Sequence, residues 1–133
     1  MTSKLAQLPK IELHCHVDCC VRLETAADLA IEMKLVVPQP LRTALVAPEL
    51  CNDLVDYLSR VDLAVALMQT PDSLTRITRE LAVDFAADGV IYGEIRFAPQ
   101  LHRRRGMTLQ QVLGARTVLP RARHLHARPA VSL

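Results

Sequence analysis

The chain has 133 residues, room for one ordinary domain with a moderate core. Half of them are apolar and 23% are charged, with no low-complexity stretch, which excludes a disordered chain and points to a soluble globular one. The net charge of +2 conceals an asymmetry, because residues 1–95 sum to −6 while residues 96–133 contain no acid and sum to +8.

Taken in chain order, Ile11-Glu-Leu-His-Cys-His16 alternates with a period of two, which predicts a strand with Pro9 just before it. Ile11, Leu13 and Cys15 then share one side, and Glu12, His14 and His16 the other. Thr25-Ala-Ala-Asp28 has the form of a capping box and predicts a helix carrying Leu29 and Met33. Pro38, Pro40 and Pro48 predict a loop-rich connector. Leu54, Leu58, Val61 and Val65 recur at helical spacing within residues 50–68. The next helix has Thr70 as its N-cap, Pro71 in first position and Gly89 at its end, with Leu74, Ile77, Leu81 and Phe85 as its buried stripe.

Residues 90–97 are rich in β-formers and end before Pro99, which predicts a second strand. Glu94 and Arg96 fall on one face of it, where a structural ion pair is expected. Thr108-Leu-Gln-Gln111 is another capping box, opening a helix through Val112. Strands separated by helices give an α/β fold with a parallel sheet. Arg103-Arg-Arg105 is expected to be a solvated loop, with phosphate binding the weaker reading.

No charged n-region followed by an apolar run opens the chain, so no signal peptide is expected. No stretch reaches the roughly 18 apolar residues that span a bilayer. Three of the four cysteines (Cys15, Cys19 and Cys20; the fourth is Cys51) crowd into six residues, a poor disulfide framework. A cytoplasmic location is expected. The basic C-terminal stretch invites a nucleic-acid reading, but no aromatic follows Phe97 to stack on bases, and that reading is disfavoured.

His14-Cys15-His16 carries the strongest chemical signal. Two histidines at i and i+2 on a strand project from one face, so both imidazoles can reach one ion. Two unliganded histidines at a strand end are the alternative, and the context decides against it. Leu8-Pro-Lys-Ile-Glu-Leu-His-Cys-His-Val-Asp18 resembles the opening motif of the adenosine deaminase family, usually written LPKxELHxHLDG. Met68-Gln-Thr-Pro71 and Asp88-Gly-Val-Ile-Tyr-Gly-Glu-Ile-Arg-Phe-Ala-Pro99 resemble two later stretches of that family in the same order, and Leu101 and His102 continue the match.

The resemblance implies the N-terminal part of a (β/α)₈ TIM-type barrel of the amidohydrolase kind, incomplete in this chain. It also implies zinc-dependent hydrolytic deamination of adenosine, or a related aminopurine nucleoside, to inosine and ammonia. His14 and His16 inherit the role of zinc ligands, and His16 and Asp18 that of nucleoside contacts. In that chemistry a metal-activated water attacks C6 of the purine while a carboxylic acid protonates the ring. The other zinc deaminase design needs H-x-E and P-C-x-x-C, and neither occurs. Phosphoesterases that open with H-x-H lack the Tyr-x-Glu-x-Arg-Phe-x-Pro stretch. Cys19 stands where the family has glycine, which is expected to reshape the sugar pocket. Cys15, Cys19 and Cys20 are expected to be small buried fillers, with soft-metal ligation as the alternative.

A (β/α)₈ barrel takes about 250 residues. Only two strands are evident, and the family's remaining metal ligands and its catalytic glutamate are not found. The chain by itself is therefore expected to be inactive, with a non-catalytic interaction fragment as the competing reading. The family-like part is expected over residues 1–115. Residues 116–133 are expected to be a basic tail foreign to the family, of the kind a shifted reading frame produces, with His124 and His126 a coincidental pair.

Overall fold

A computed structural model describes residues 8–116 and 125–127. Strand β1 (Lys10–His16) leads through a 3-10 turn (Val17–Cys19) to four helices, α1 (Leu23–Glu32), α2 (Leu41–Leu45), α3 (Leu54–Leu67) and α4 (Pro71–Ala87). Strand β2 (Val90–Arg96), a second 3-10 turn (Pro99–Arg103), α5 (Leu109–Arg116) and β3 (Leu125–Ala127) follow. The strands form one parallel sheet in the order β1-β2-β3. Parallel neighbours need a crossover, and the helices between the strands supply it.

The local punctuation read from the sequence is realised at α4 and α5. Thr70 Oγ1 accepts the Ser73 backbone N–H at 3.1 Å, and Ser73 Oγ accepts the Thr70 N–H at 3.2 Å, a complete capping box ahead of Pro71. Gly89 adopts φ +77°, the left-handed geometry that ends α4 and turns the chain into β2. Thr108 and Gln111 cap α5 reciprocally, at 3.2 and 2.9 Å.

Four expectations are corrected. Helix α1 starts at Leu23, so Thr25 lies inside it; its hydroxyl donates to Glu80 Oε2 of α4 at 2.6 Å instead of capping. The proline-rich connector contains the short helix α2, whose N-cap is Pro40. On α3, Leu54 and Leu58 face outward, while Val65 is buried as expected and Ala64 and Leu67 are buried beside it. Its N-cap is Asp53, which accepts from Asp56 N at 2.8 Å. Lastly, Leu125–Ala127 pairs in parallel with β2 and places His126 in register with Glu94, although three residues of mixed polarity show no alternation. His124 lies outside the described residues.

The core gathers behind the sheet. Phe97, Leu67, Met68, Leu74, Ile77, Ile95, Val17 and Val112 are wholly buried and join β2 to α3, α4 and α5. Aliphatic side chains supply nearly all of it, as the scarcity of aromatics requires. By contrast Ile11 and Leu13 of β1 remain exposed, at 62% and 57%. The β1–β2 register is irregular between Glu12 and Cys15, where the His14 N–H turns away from the ladder to Glu12 Oε1 at 2.8 Å.

Candidate metal and nucleoside site

The end of β1 does bring the two histidines together. His14 Nε2 and His16 Nε2 stand 3.1 Å apart, with ring centroids 5.1 Å apart, and both rings are exposed. The i, i+2 spacing puts them on one side of the strand despite the neighbouring irregularity. Two imidazoles bound to one zinc at 2.0–2.1 Å with tetrahedral angles hold their nitrogens about 3.3–3.4 Å apart. The observed pair therefore fits two corners of such an ion with a shift of a few tenths of an ångström. Among the described residues, no group of three or more histidine, cysteine or acidic side chains converges on a point. The pair is half a site.

Asp18 is elsewhere in its chemistry. It sits in the 3-10 turn directly after β1 and is 4% exposed. Its Oδ2 accepts the Ala98 N–H at 3.1 Å, and its Oδ1 lies 2.7 Å from His102 Nε2. His102 is wholly buried, stacks beside Phe97 with centroids 6.2 Å apart, and turns Nδ1 to the Met68 carbonyl at 3.1 Å. Asp18, placed by sequence among the nucleoside contacts, is thus held first of all by the chain itself. It ties the end of β1 to the loop after β2 and to the end of α3. Gln69 adds a parallel tie, donating from Nε2 to the Val65 and Leu101 carbonyls at 2.7 and 2.9 Å.

Sequence reasoning noted His102 only as a continuation of the family match and gave it no role. The available signal was its position just beyond the C-terminal end of a parallel strand, the end where barrels keep their functional groups. Both of its ring nitrogens face oxygen atoms. Satisfying both contacts takes one proton on Nδ1 and one between Nε2 and the Asp18 carboxylate.

The expected ion pair on β2 is not formed: Glu94 Oε1 accepts from the Tyr92 hydroxyl at 2.9 Å, and among the described residues no ion pair joins Glu94 to Arg96. Arg103, Arg104 and Arg105 are exposed, as a solvated loop requires.

The cysteines are all free thiols, and they are not uniformly buried fillers. Cys19 is exposed and lines a cleft of about 280 Å³ with Tyr57, Arg60 and Val61 of α3, so the side chain standing where the family has glycine does face open space. Partial burial, then the neighbouring Asp18 charge, pushes its thiol up. Cys15 and Cys20 are half-buried with their sulfurs 3.4 Å apart. Cys20 also reaches the His16 carbonyl at 3.1 Å. Its hydrogen bond with Cys15 and its burial push the Cys20 thiol far up, and the same bond lowers Cys15.

The sequence model of the adenosine deaminase family matches residues 9–121 of this chain. The chain belongs to the adenosine deaminase family. The adenosine deaminase of Shewanella halifaxensis is 44% identical over 113 residues, which are 82% of this chain and 34% of that protein. An amidohydrolase of Burkholderia ambifaria, solved with bound Zn, superposes with a TM-score of 0.78 at 26% identity, covering 94% of this chain and 36% of its own. An Arabidopsis protein solved in complex with IMP superposes with a TM-score of 0.70 at 28% identity, covering 94% and 40%. This family member therefore spans about a third of the length of the relatives it matches, and its α/β fold is the N-terminal part of their TIM-type barrel.

Proposed function

We propose that this chain is the N-terminal third of a zinc-dependent enzyme that hydrolytically deaminates adenosine or a related aminopurine nucleoside to inosine-type product and ammonia. The observation that carries the reading is the His14–His16 pair, at metal-ligating separation on the end of a parallel strand, within a chain of the adenosine deaminase family. Relatives solved with Zn and with IMP support the metal and the purine class.

In this reading His14 and His16 hold the ion from one side, and the rest of its ligands come from chain beyond these residues. A zinc ion there supplies Lewis acidity, which makes water a nucleophile at neutral pH. His16 also faces the nucleoside. Asp18 contacts the sugar with the lone pairs that Ala98 and His102 leave free, while their hydrogen bonds hold its carboxylate in place. Cys19 brings a thiol to the neighbouring cleft and so sets the room available there. The four free thiols support a reducing, cytoplasmic setting.

Two measurements test the proposal. A full-length protein containing this chain should bind zinc and release ammonia from adenosine or another aminopurine nucleoside. Zinc content without ammonia from any of them would overturn the activity. In the 133-residue chain, zinc should bind weakly, lose that binding in His16→Ala, and keep it in a Cys15/Cys19/Cys20 triple serine variant. The opposite pattern would transfer the metal to the thiols and remove the support for the histidine site.

A further inference from the structure

Cys15 is a half-buried residue near the end of β1, and Cys20 closes the turn that follows it. Their sulfurs lie 3.4 Å apart across only five residues of chain. A disulfide needs the sulfurs at about 2.05 Å, so closure requires roughly 1.3–1.4 Å of approach. Both side chains are half-buried. The other two thiols are differently placed. Cys19 is exposed and turned to the cleft beside α3. Cys51 lies in the loop before α3, its sulfur 3.9 Å from the Pro48 carbonyl.

We propose that Cys15 and Cys20 form a modification site, a thiol pair that a hydroperoxide converts to an intramolecular disulfide. One sulfur attacks a peroxide oxygen, the O–O bond breaks, and the products are a sulfenic acid and one water, or one alcohol from an organic hydroperoxide. The second thiol then attacks the sulfenic sulfur, the S–S bond forms, and the hydroxyl leaves with the thiol proton as water. Two thiols lose two electrons in total, and the peroxide gains them. Neither step requires a metal or an additional reductant.

The location gives the pair its interest. The ring closed by this bond contains His16, whose carbonyl now receives Cys20 Sγ at 3.1 Å, and Asp18, whose carboxylate anchors the loop after β2. Closure draws the Cys20 sulfur toward Cys15 and away from that carbonyl, and so moves the turn between two of the residues assigned to the site.

Hydrogen peroxide treatment of the full chain tests the proposal, with Cys51→Ser as the background and intact mass as the readout. The Cys19→Ser variant, which retains Cys15 and Cys20, should lose two hydrogens at least about tenfold faster than the Cys20→Ser variant, which retains Cys15 and Cys19, because only the first pair is held in contact. Concentrated guanidinium chloride should abolish the difference, since it removes the fold that creates it. Equal rates in buffer, or conversion of the Cys19→Ser variant to sulfinic acid without closure, would overturn the proposal. A fast but guanidinium-insensitive closure would do the same, because sequence proximity alone would then explain it.

Discussion

Replacing His102 by leucine removes both ring nitrogens from an enclosed polar network and leaves its other members in place. Asp18, 4% exposed, would keep only the Ala98 N–H, and the Met68 carbonyl would lose its donor. Removing the hydrogen-bond partner of a buried carboxylate costs about 3 kcal/mol, since water cannot replace the lost contact. Asp18→Asn is the informative contrast. Its Oδ1 can accept from Ala98, its amide can donate to His102 Nε2, and His102 can still donate from Nδ1 to Met68, so every contact survives without a charge. That exchange should cost about 1 kcal/mol, the scale of one altered hydrogen bond. The two variants should differ by at least about 2 kcal/mol, which corresponds to roughly 8 °C or more in Tm for a domain of this size. Urea unfolding followed by circular dichroism, with amide exchange at Ala98 as a local probe, measures both effects. If His102→Leu unfolds within about 1 kcal/mol of the parent, or Asp18→Asn falls as far as His102→Leu, the network does not hold the site.

Two further expectations concern the scaffold. Gly89 has φ +77°, and a Cβ there would meet the Leu8 carbonyl at an ordinary 3.4 Å, so the penalty for Gly89→Ala is conformational. It should amount to about 1–2 kcal/mol, with Gly89→Asn milder because asparagine tolerates this geometry; equal denaturation midpoints for the two variants would contradict this. The Asp56 carboxyl is held below its ordinary range, first by the Asn52 backbone N–H and then by Arg60. A carboxyl depressed in the fold adds stability above its unfolded pKa, about 3.9, and loses it as pH falls through that value and below. The start of α3 should therefore loosen below about pH 4, and Asp56→Asn should flatten that dependence; an unchanged acid limb in helical signal would refute the assignment.

Much of the architecture was legible because it depends on short-range rules. The capping residues Thr70 and Thr108, the left-handed Gly89 and the β-rich run before Pro99 each act within a few residues of themselves, and each appears where the sequence puts it. The His14–His16 pair was legible for the same reason, since strand periodicity alone places two imidazoles side by side. Family membership was readable from three ordered motifs, and the match over residues 9–121 bears that out.

Contacts between distant parts of the chain escaped the sequence. Thr25 has the pattern of a cap, yet it serves Glu80, 55 residues away, because α4 packs against α1. Leu54 and Leu58 have the spacing of a buried stripe, yet they point outward because the described neighbours of α3 cover only its later turns. β3 has no period of its own; the open edge of β2 makes it a strand. The Asp18–His102 contact joins residues 84 apart, and the Cys15–Cys20 contact depends on how the 3-10 turn folds back behind β1. Periodicity and capping are properties of neighbours along the chain, so the sequence by itself determined β1, α4, β2 and α5, the family and the histidine pair. Which buried group meets which partner depends on how those elements pack, and only the tertiary structure decided that Asp18 is anchored by His102 and that two of four thiols lie in contact.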